Sequence, residues 1–145
     1  MKDLSSEEYR ALAEFRYQIR RFLGFSEEQV RTAGMEPQQH QLLLAIKGLP
    51  DGEKATIGEL AGRLQLKHHS TVELVNRLEK QGYVTRESSQ EDRRQVIIHL
   101  THAGAAILRK LSIAHHEELE IAGPQLAKAL RSIARQHGDK KRSAA

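Results

Sequence analysis

Apolar residues recur at helical spacing over a short segment in the middle of the chain. They are Ile57, Leu60, Ala61 and Leu64, and intervals of three and four residues place them on one face of a helix. Thr56 stands three residues before Glu59, a capping-box spacing that satisfies free backbone N–H groups at a helix start. The pattern predicts a short amphipathic helix and then a turn at 65–67, with Leu66 packed beneath that turn.

A second helix is predicted over 68–81, because Gly82 tolerates the left-handed conformation that closes a helix. Its predicted buried side is Val72, Val75 and Leu78. The opposite side is polar and consists of His69, Glu73, Asn76, Arg77 and Lys80. A helix that reads base edges in a DNA major groove needs such a hydrogen-bonding face, but an ordinary solvated helix has one too.

Two β-rich segments follow at 83–87 and 95–100 and predict a hairpin. The residues that alternate toward one side of its second strand are Val96, Ile98 and Leu100. A helix, a turn, a second helix and a hairpin in this order predict a helix-turn-helix with a wing.

The predicted tip of the hairpin is a polar stretch at 88–94 that ends in two adjacent arginines, Arg93 and Arg94. Arginines at the end of a two-stranded ribbon suit contact with phosphates or with a narrow minor groove. Asp92 is expected to orient one of them through a charge-assisted hydrogen bond. The alternative is a solvated loop whose charges keep the sheet edge soluble.

A set of short motifs extends this pattern along the chain. It comprises Leu60-Ala61, Ser70-Thr71-Val72, the run from Arg77 to Arg86, Asp92-Arg93-Arg94, and Leu100-Thr101 with Gly104. Together these motifs resemble the MarR family of bacterial transcriptional regulators. The resemblance implies a homodimeric winged-helix protein that binds a pseudo-palindromic operator in double-stranded DNA, usually as a repressor relieved by a small ligand.

By this resemblance, Ser70, Thr71, Asn76 and Arg77 match recognition-helix positions, and Arg93 or Arg94 matches a minor-groove arginine of the wing. The full set of residues predicted to contact DNA is Lys67, His68, His69, Ser70, Thr71, Glu73, Asn76, Arg77, Lys80, Arg86, Asp92, Arg93 and Arg94. The family is diverse at the start of this helix, where His68 and His69 stand here, so no base preference is transferred.

Apolar seams at both ends of the chain predict a dimerisation region. Helices are predicted over 5–24, 26–33 and 37–47 before the central unit, and a long helix capped by Thr101 follows it. Proline inside a helix costs about 3 kcal/mol, so Gly123-Pro124 predicts two helices meeting at a bend. The seam residues are Leu12, Phe15, Ile19, Phe22, Leu119, Leu126, Leu130 and Ile133. The central unit is too small to cover both ends, which favours a partner chain over packing within one protomer.

The chain of 145 residues is expected to form a single domain that is mainly α with a small β-hairpin wing. Residues 37–101, approximately, would form the DNA-binding unit, and about 5–34 and 102–137 the dimerisation helices. Basic and acidic side chains number 7 against 9 over 1–53, 8 against 6 over 54–101 and 8 against 4 over 102–145. This mild positive surplus around and after the hairpin agrees with a nucleic-acid partner.

Several classes of protein are disfavoured by what the sequence lacks. It has no cysteine, which excludes disulfides and cysteine-based peroxide sensing. It has no apolar run near the ~20 residues of a membrane span and no signal-peptide pattern, so we expect a cytoplasmic protein without a membrane partner. It has no glycine-rich phosphate loop and no Ser/His/Asp grouping in a recognisable context, so we expect no enzymatic activity.

The 8 histidines raise the alternative of a metal-responsive regulator. His116 and Glu120 stand at i and i+4, and His40 or His102 would be needed as a further ligand. Adjacent histidines such as 68 and 69 point about 100° apart on a helix and do not chelate one ion easily. We therefore predict no metal site and no cofactor.

An effector site is implied only by the resemblance, which would place it between the dimer helices and the winged unit. The candidate lining is Tyr9, Phe15, Arg16, Tyr17, Phe22 and Phe25, which would suit an aromatic anion. The same residues are also explained as core and seam, and that interpretation is favoured. A winged-helix module that binds protein instead of DNA is the other alternative, but such modules often lose the basic wing.

Overall fold

The computed structural model describes the backbone of residues 3–143 and the side chains of residues 3–135. Its elements, in chain order, are α1 (Ser6–Thr32), α2 (Pro37–Lys47), α3 (Ile57–Leu64), α4 (His68–Lys80), β1 (Val84–Ser88), β2 (Val96–Leu100) and α5 (His102–Ser143). The described chain is therefore mainly helical with one antiparallel hairpin, which confirms the predicted fold class. No helix in the described residues is both long enough and apolar enough to cross a bilayer.

Backbone contacts divide the chain into two compact units. The central unit is Gln29–Ser112, and the terminal unit combines the residues up to Glu28 with those from Ile113 onward. Helices α2, α3 and α4 and the hairpin lie in the central unit. The terminal unit is built from most of α1 and the later part of α5.

One cluster of buried apolar side chains forms the core of the central unit. Its fully buried members are Val30, Leu42, Leu43, Leu60, Val75, Leu78, Val84 and Ile98. Helices α2, α3 and α4 and both strands contribute to this cluster. Because the helix-turn-helix and the hairpin share one core, the packing holds the wing in a fixed place beside α4.

The predicted start of α3 and the turn after it are confirmed. The Glu59 N–H donates to Thr56 Oγ1 at 3.1 Å, which caps the first turn of the helix. Gln65 ends the helix in the left-handed conformation, with φ 54°, and Leu66 packs against the core as predicted.

Helix α1 is continuous, so the predicted break near Gly24 and the separate helix over 26–33 are wrong. A glycine inside a helix costs only about 1 kcal/mol relative to alanine, which packing on either side can offset. The helix instead closes at Gly34, whose φ of 81° is left-handed. The Gly34 N–H donates to Arg31 O, and the Met35 N–H donates to Val30 O.

Helix α5 is also continuous, with Pro124 inside it, so the predicted division into two helices at Gly123 is wrong. Proline removes one backbone hydrogen bond and crowds the preceding turn, which is a local disturbance of a long helix. The helix has buried side chains both before and after Pro124, for example Leu111 and Ala129, so packing stabilises it on either side of the proline.

The start of α5 is hydrogen-bonded to the segment that links α4 to the hairpin. Thr101 Oγ1 donates to Gly82 O at 2.6 Å and accepts the Gly104 N–H at 3.0 Å, so Thr101 caps the helix as predicted. Gly104 lies against backbone, since a Cβ at this position would stand 2.1 Å from Tyr83 O. Thr101 therefore supplies the hydrogen bonds between the start of α5 and this segment, and Gly104 allows the two backbones to approach closely.

Four of the side chains that the structure describes in the terminal unit are buried, namely Ala11, Gln18, His115 and Ala129. Phe22 and Phe25 each present an edge-to-face contact to His115 at a centroid distance of 6.1 Å. Of the predicted seam residues, Leu12, Leu119 and Leu130 are exposed, and Phe15, Ile19, Phe22, Leu126 and Ile133 are half-buried.

Candidate nucleic-acid interface

The buried side of α4 differs from the predicted one. It consists of Thr71, Leu74, Val75 and Leu78, and Val72 is only half-buried. Thr71 has no exposed surface, and its Oγ1 donates to Lys67 O at 3.0 Å. We therefore assign Thr71 to the core and correct its prediction as a DNA-contacting residue, because a fully buried side chain does not reach a groove.

The other predicted residues of this helix lie on its solvent side. Lys67, His68, His69, Glu73, Asn76, Arg77 and Lys80 are exposed, and Ser70 is half-buried. The basic members of this set lie near both ends of α4, while Glu73 lies between them. Within this set, His69, Glu73, Asn76 and Lys80 recur at intervals of three and four residues and so share one face of the helix, as a helix lying in a major groove requires.

The hairpin pairs Val84 with Leu100 and Ser88 with Val96 in antiparallel register. Ile98 is buried, as predicted, whereas Val96 near the tip is 37% exposed. The register places Val84 and Ile98 on the side of the sheet that packs into the core of the central unit. The loop at 89–95 therefore projects from a rigid base.

Two backbone hydrogen bonds shape the wing loop. Ser89 N–H donates to Gln95 O at 2.8 Å, and Gln95 N–H donates to Asp92 O at 3.0 Å. Asp92 Oδ1 accepts the backbone N–H of Arg94 at 3.0 Å. Asp92 thus orients the tip through the backbone of Arg94, not through the guanidinium group that the sequence suggested. Arg93 and Arg94 are both exposed at the resulting turn.

An ion pair that the sequence did not indicate ties the wing loop to the segment before α3. Lys54 Nζ lies 2.6 Å from Glu91 Oε2. The hydrogen bond from Lys54, and then its positive charge, hold the pKa of Glu91 below its ordinary value. Because a lowered pKa favours the ionised form, this link is present at neutral pH and is lost as the pH falls through that lowered pKa.

A second unpredicted link joins the wing strand β1 to α4. Arg86 Nη1 lies 2.8 Å from Glu79 Oε1, and Arg86 Nη2 donates to Asn76 Oδ1. The sequence predicts a DNA contact for Arg86 and another for Asn76, but no contact between the two residues. Residues ten apart in sequence on two different elements carry no local signal of such a pair.

The histidines considered for the alternative metal site lie on α2 and α5. His116 Nδ1 lies 3.2 Å from Glu120 Oε1 on the exposed surface of α5. His40 is buried on α2 in the central unit, and His102 begins α5. Among the side chains that the structure describes, no group of three or more His, Asp or Glu stands close enough to hold a metal ion.

The six candidate effector-binding residues all lie on α1, within the terminal unit. Tyr9 and Tyr17 are exposed, while Phe22 and Phe25 pack on His115. Arg16 borders a shallow groove, and the other residues that line the groove are Ile19, Arg20, Leu23, Gly24 and Glu27. None of the aromatic candidates borders that groove.

Known proteins resemble this chain in sequence and in fold. A MarR family model matches residues 33–95, which hold the helix-turn-helix and most of the wing. A proposed transcriptional regulatory protein for the hcr operon of Thauera aromatica is 30% identical over 99 residues, covering 68% of this chain and 58% of that protein.

The chain belongs to the MarR family.

Solved structures of MarR family proteins share its architecture. The structure of AbsC, a MarR family transcriptional regulator from Streptomyces coelicolor, has a TM-score of 0.72 at 20% identity and covers 96% of this chain and 99% of its own. A mutant of MepR from S. aureus, bound to an oligodeoxyribonucleotide, has a TM-score of 0.64 at 18% identity, with coverages of 98% and 99%. At these identities the likeness shows the MarR fold. In sequence, this MarR family protein spans about half the length of the curated relatives it matches.

Proposed function

We propose that this MarR family protein is a sequence-specific DNA-binding transcriptional regulator that acts as a homodimeric repressor on a pseudo-palindromic operator. The observation that carries the proposal is the shared core of α4 and the hairpin. It holds an exposed polar helix face and a tip with two exposed arginines on one rigid body. Such a body suits simultaneous contact with a major groove and the neighbouring minor groove.

In this proposal the residues of α4 and the wing have different tasks. His69, Ser70, Asn76 and Arg77 read or position the major groove, and Arg93 and Arg94 engage the minor groove or phosphates. Lys67, His68 and Lys80 are exposed on the same helix and would contact the sugar-phosphate backbone. Glu73 is a candidate acceptor for a cytosine amino group.

The apolar surface of the terminal unit supports the homodimer. Most of the large apolar side chains that stay exposed in the described residues belong to this unit, including Ile121 at 76% and Leu130 at 52%. Large exposed apolar surfaces mark interaction sites. We propose that a second copy of the chain packs against these exposed side chains. A two-fold dimer would present two recognition helices about 34 Å apart.

Replacing Leu130 by glutamate is expected to convert the dimer into monomers, because it would place a charge within the seam. Analytical ultracentrifugation measures the change in mass. Leu44→Glu is the matched control, since Leu44 is 47% exposed but lies on α2 in the central unit. An unchanged dimer in Leu130→Glu, or equal dissociation in both variants, would contradict this assignment of the seam.

Relief by a small aromatic anion is the regulatory part of the proposal. It is supported by membership of the MarR family and by the groove on α1, where Arg16 and Arg20 stand beside Ile19 and Leu23. Two guanidinium groups beside two aliphatic side chains, with Glu27 also in the lining, suit a carboxylate on an aromatic ring held on the arginine side.

Binding to a duplex of random sequence tests whether DNA is the partner. Fluorescence anisotropy should show association at about 50 mM salt that weakens steeply by about 200 mM, because phosphate contacts release condensed counterions. A winged-helix module that binds only protein would show no association at either salt concentration, and that result would contradict the proposal.

A further inference from the structure

Arg86 links the wing strand β1 to α4. Its side chain is half-buried and extends from β1 to α4, where it contacts two residues three positions apart. Nη1 lies 2.8 Å from Glu79 Oε1, and Nη2 donates to the side-chain oxygen of Asn76. Asn76 is itself exposed on the polar face of α4.

The chemistry of the guanidinium group decides which end of the Asn76 amide faces Arg86. A guanidinium carries only donors, in a fixed planar arrangement, and accepts no hydrogen bond. The Asn76 carbonyl oxygen therefore faces Arg86, and the amide NH2 group is directed away from it. Glu79 holds the other side of the guanidinium, so the orientation is fixed from both ends.

The ion pair also changes the role of Arg86. The carboxylate of Glu79 offsets its positive charge, and two of its five N–H donors, one on each Nη, are engaged within the protein. A phosphate anchor requires a cation with donors directed at the DNA backbone. The geometry favours a role for Arg86 in orienting Asn76 over the direct DNA contact that the sequence suggested.

We propose that Arg86 is a positioning residue for sequence reading, and that it makes Asn76 a hydrogen-bond donor toward one base in the major groove. This inference rests on the proposed function, in which α4 enters that groove. Guanine, adenine and thymine each present an acceptor there, whereas cytosine presents only a donor. The base that Asn76 faces is therefore any base except cytosine.

Selection of binding sites from a randomised duplex pool tests this assignment when it is repeated with variants. Asn76→Ala should flatten the base preference at one position of each half-site and so identify the position. Arg86→Gln should flatten the same position, and the double variant should add no further loss. Discrimination of roughly 5- to 150-fold is expected to disappear there.

Asn76→Asp is the decisive variant, because a carboxylate still accepts from Arg86 but presents no donor. It should admit cytosine at the identified position, since a carboxylate accepts from the cytosine amino group. Arg63→Gln is the matched control, as it removes an arginine paired with Glu59 at 3.1 Å on α3. The control should leave every base preference unchanged.

Three results would overturn the assignment while leaving the proposed function in place. Arg86→Gln could weaken binding to all sequences equally, which would make Arg86 a phosphate contact or a purely structural residue. It could alter a different base position from Asn76→Ala. Asn76→Asp could continue to exclude cytosine. A wild-type protein that selects no motif would instead overturn the proposed function, and this assignment with it.

Discussion

Replacing Arg93 and Arg94 together by alanine is expected to weaken binding to every DNA sequence. Both side chains are exposed at a turn whose shape is held by hydrogen bonds from the Arg94 N–H to Asp92 Oδ1 and from the Gln95 N–H to Asp92 O. Neither alanine removes one of those bonds, so the loop should keep its conformation. The change therefore removes charge and donors from the tip without unfolding it.

The size of the effect follows from the two guanidinium groups that the double variant lacks. A hydrogen bond to a charged group contributes about 1.5–3 kcal/mol, so the two replacements should lower affinity by at least tenfold. The slope of log K against log salt should fall by about 1 for each phosphate contact removed. Fluorescence anisotropy over a salt series measures both quantities on a single duplex.

A matched control separates the wing from general electrostatics. Arg131 and Arg135 are exposed on α5 in the terminal unit, and replacing both by alanine removes the same charge. Their replacement should change affinity only slightly, because the proposed function assigns DNA contact to α4 and the wing of the central unit. Equal losses in the two double variants, or unchanged binding in Arg93→Ala/Arg94→Ala, would contradict the role of the wing.

Gly104→Ala is expected to destabilise the central unit. A Cβ at this position would stand 2.1 Å from the carbonyl oxygen of Tyr83 and 3.0 Å from its carbonyl carbon. Both neighbours are backbone atoms and do not rotate away as a side chain would. The first turn of α5 must therefore move away from the hairpin, which would also disturb the contacts of Thr101.

Forcing extra atoms into a packed site costs about 1–3 kcal/mol and occasionally more. Urea unfolding followed by circular dichroism should show a lower midpoint for Gly104→Ala. Gly123→Ala is the control on the same helix, because a Cβ there would meet no atom within 4 Å. It should stabilise the protein by up to about 1 kcal/mol through helix propensity. Equal midpoints for the two variants would show that the close approach of α5 to Tyr83 is wrong.

The parts of the fold that sequence predicted well have local signals. Thr56 with Glu59 caps α3, Gly82 follows α4, and Thr101 with Gly104 begins α5, and each of these signals lies within a few residues of the feature it marks. The helix-turn-helix and the hairpin could therefore be placed within a residue or two of their observed bounds.

The errors arose where local preference and tertiary packing disagree. Gly24 and Pro124 are weak helix residues, yet both lie inside continuous helices. The polar Thr71 suggested a DNA contact, but its hydroxyl is satisfied by the backbone of its own helix and the residue is buried. A sequence pattern shows the polarity and spacing of residues, whereas the burial of a side chain depends on which distant parts of the chain pack against it.

The details of the candidate interface depend on partners far apart in sequence. Lys54 pairs with Glu91 across 37 residues, and Arg86 reaches Asn76 across 10. Neither pair has a repeated spacing that would predict it. The residue types at the interface could be predicted, but the contacts that orient them required the structure.

Selection of binding sites from a randomised duplex pool, using the wild-type protein, tests the central claim most directly. A dimeric MarR family regulator should enrich an inverted repeat whose half-sites are centred about one helical turn apart, near 34 Å. That result would establish a dimeric protein that reads DNA sequence. A pool that shows no enriched motif after repeated rounds would contradict the account and favour a winged-helix module that binds another protein.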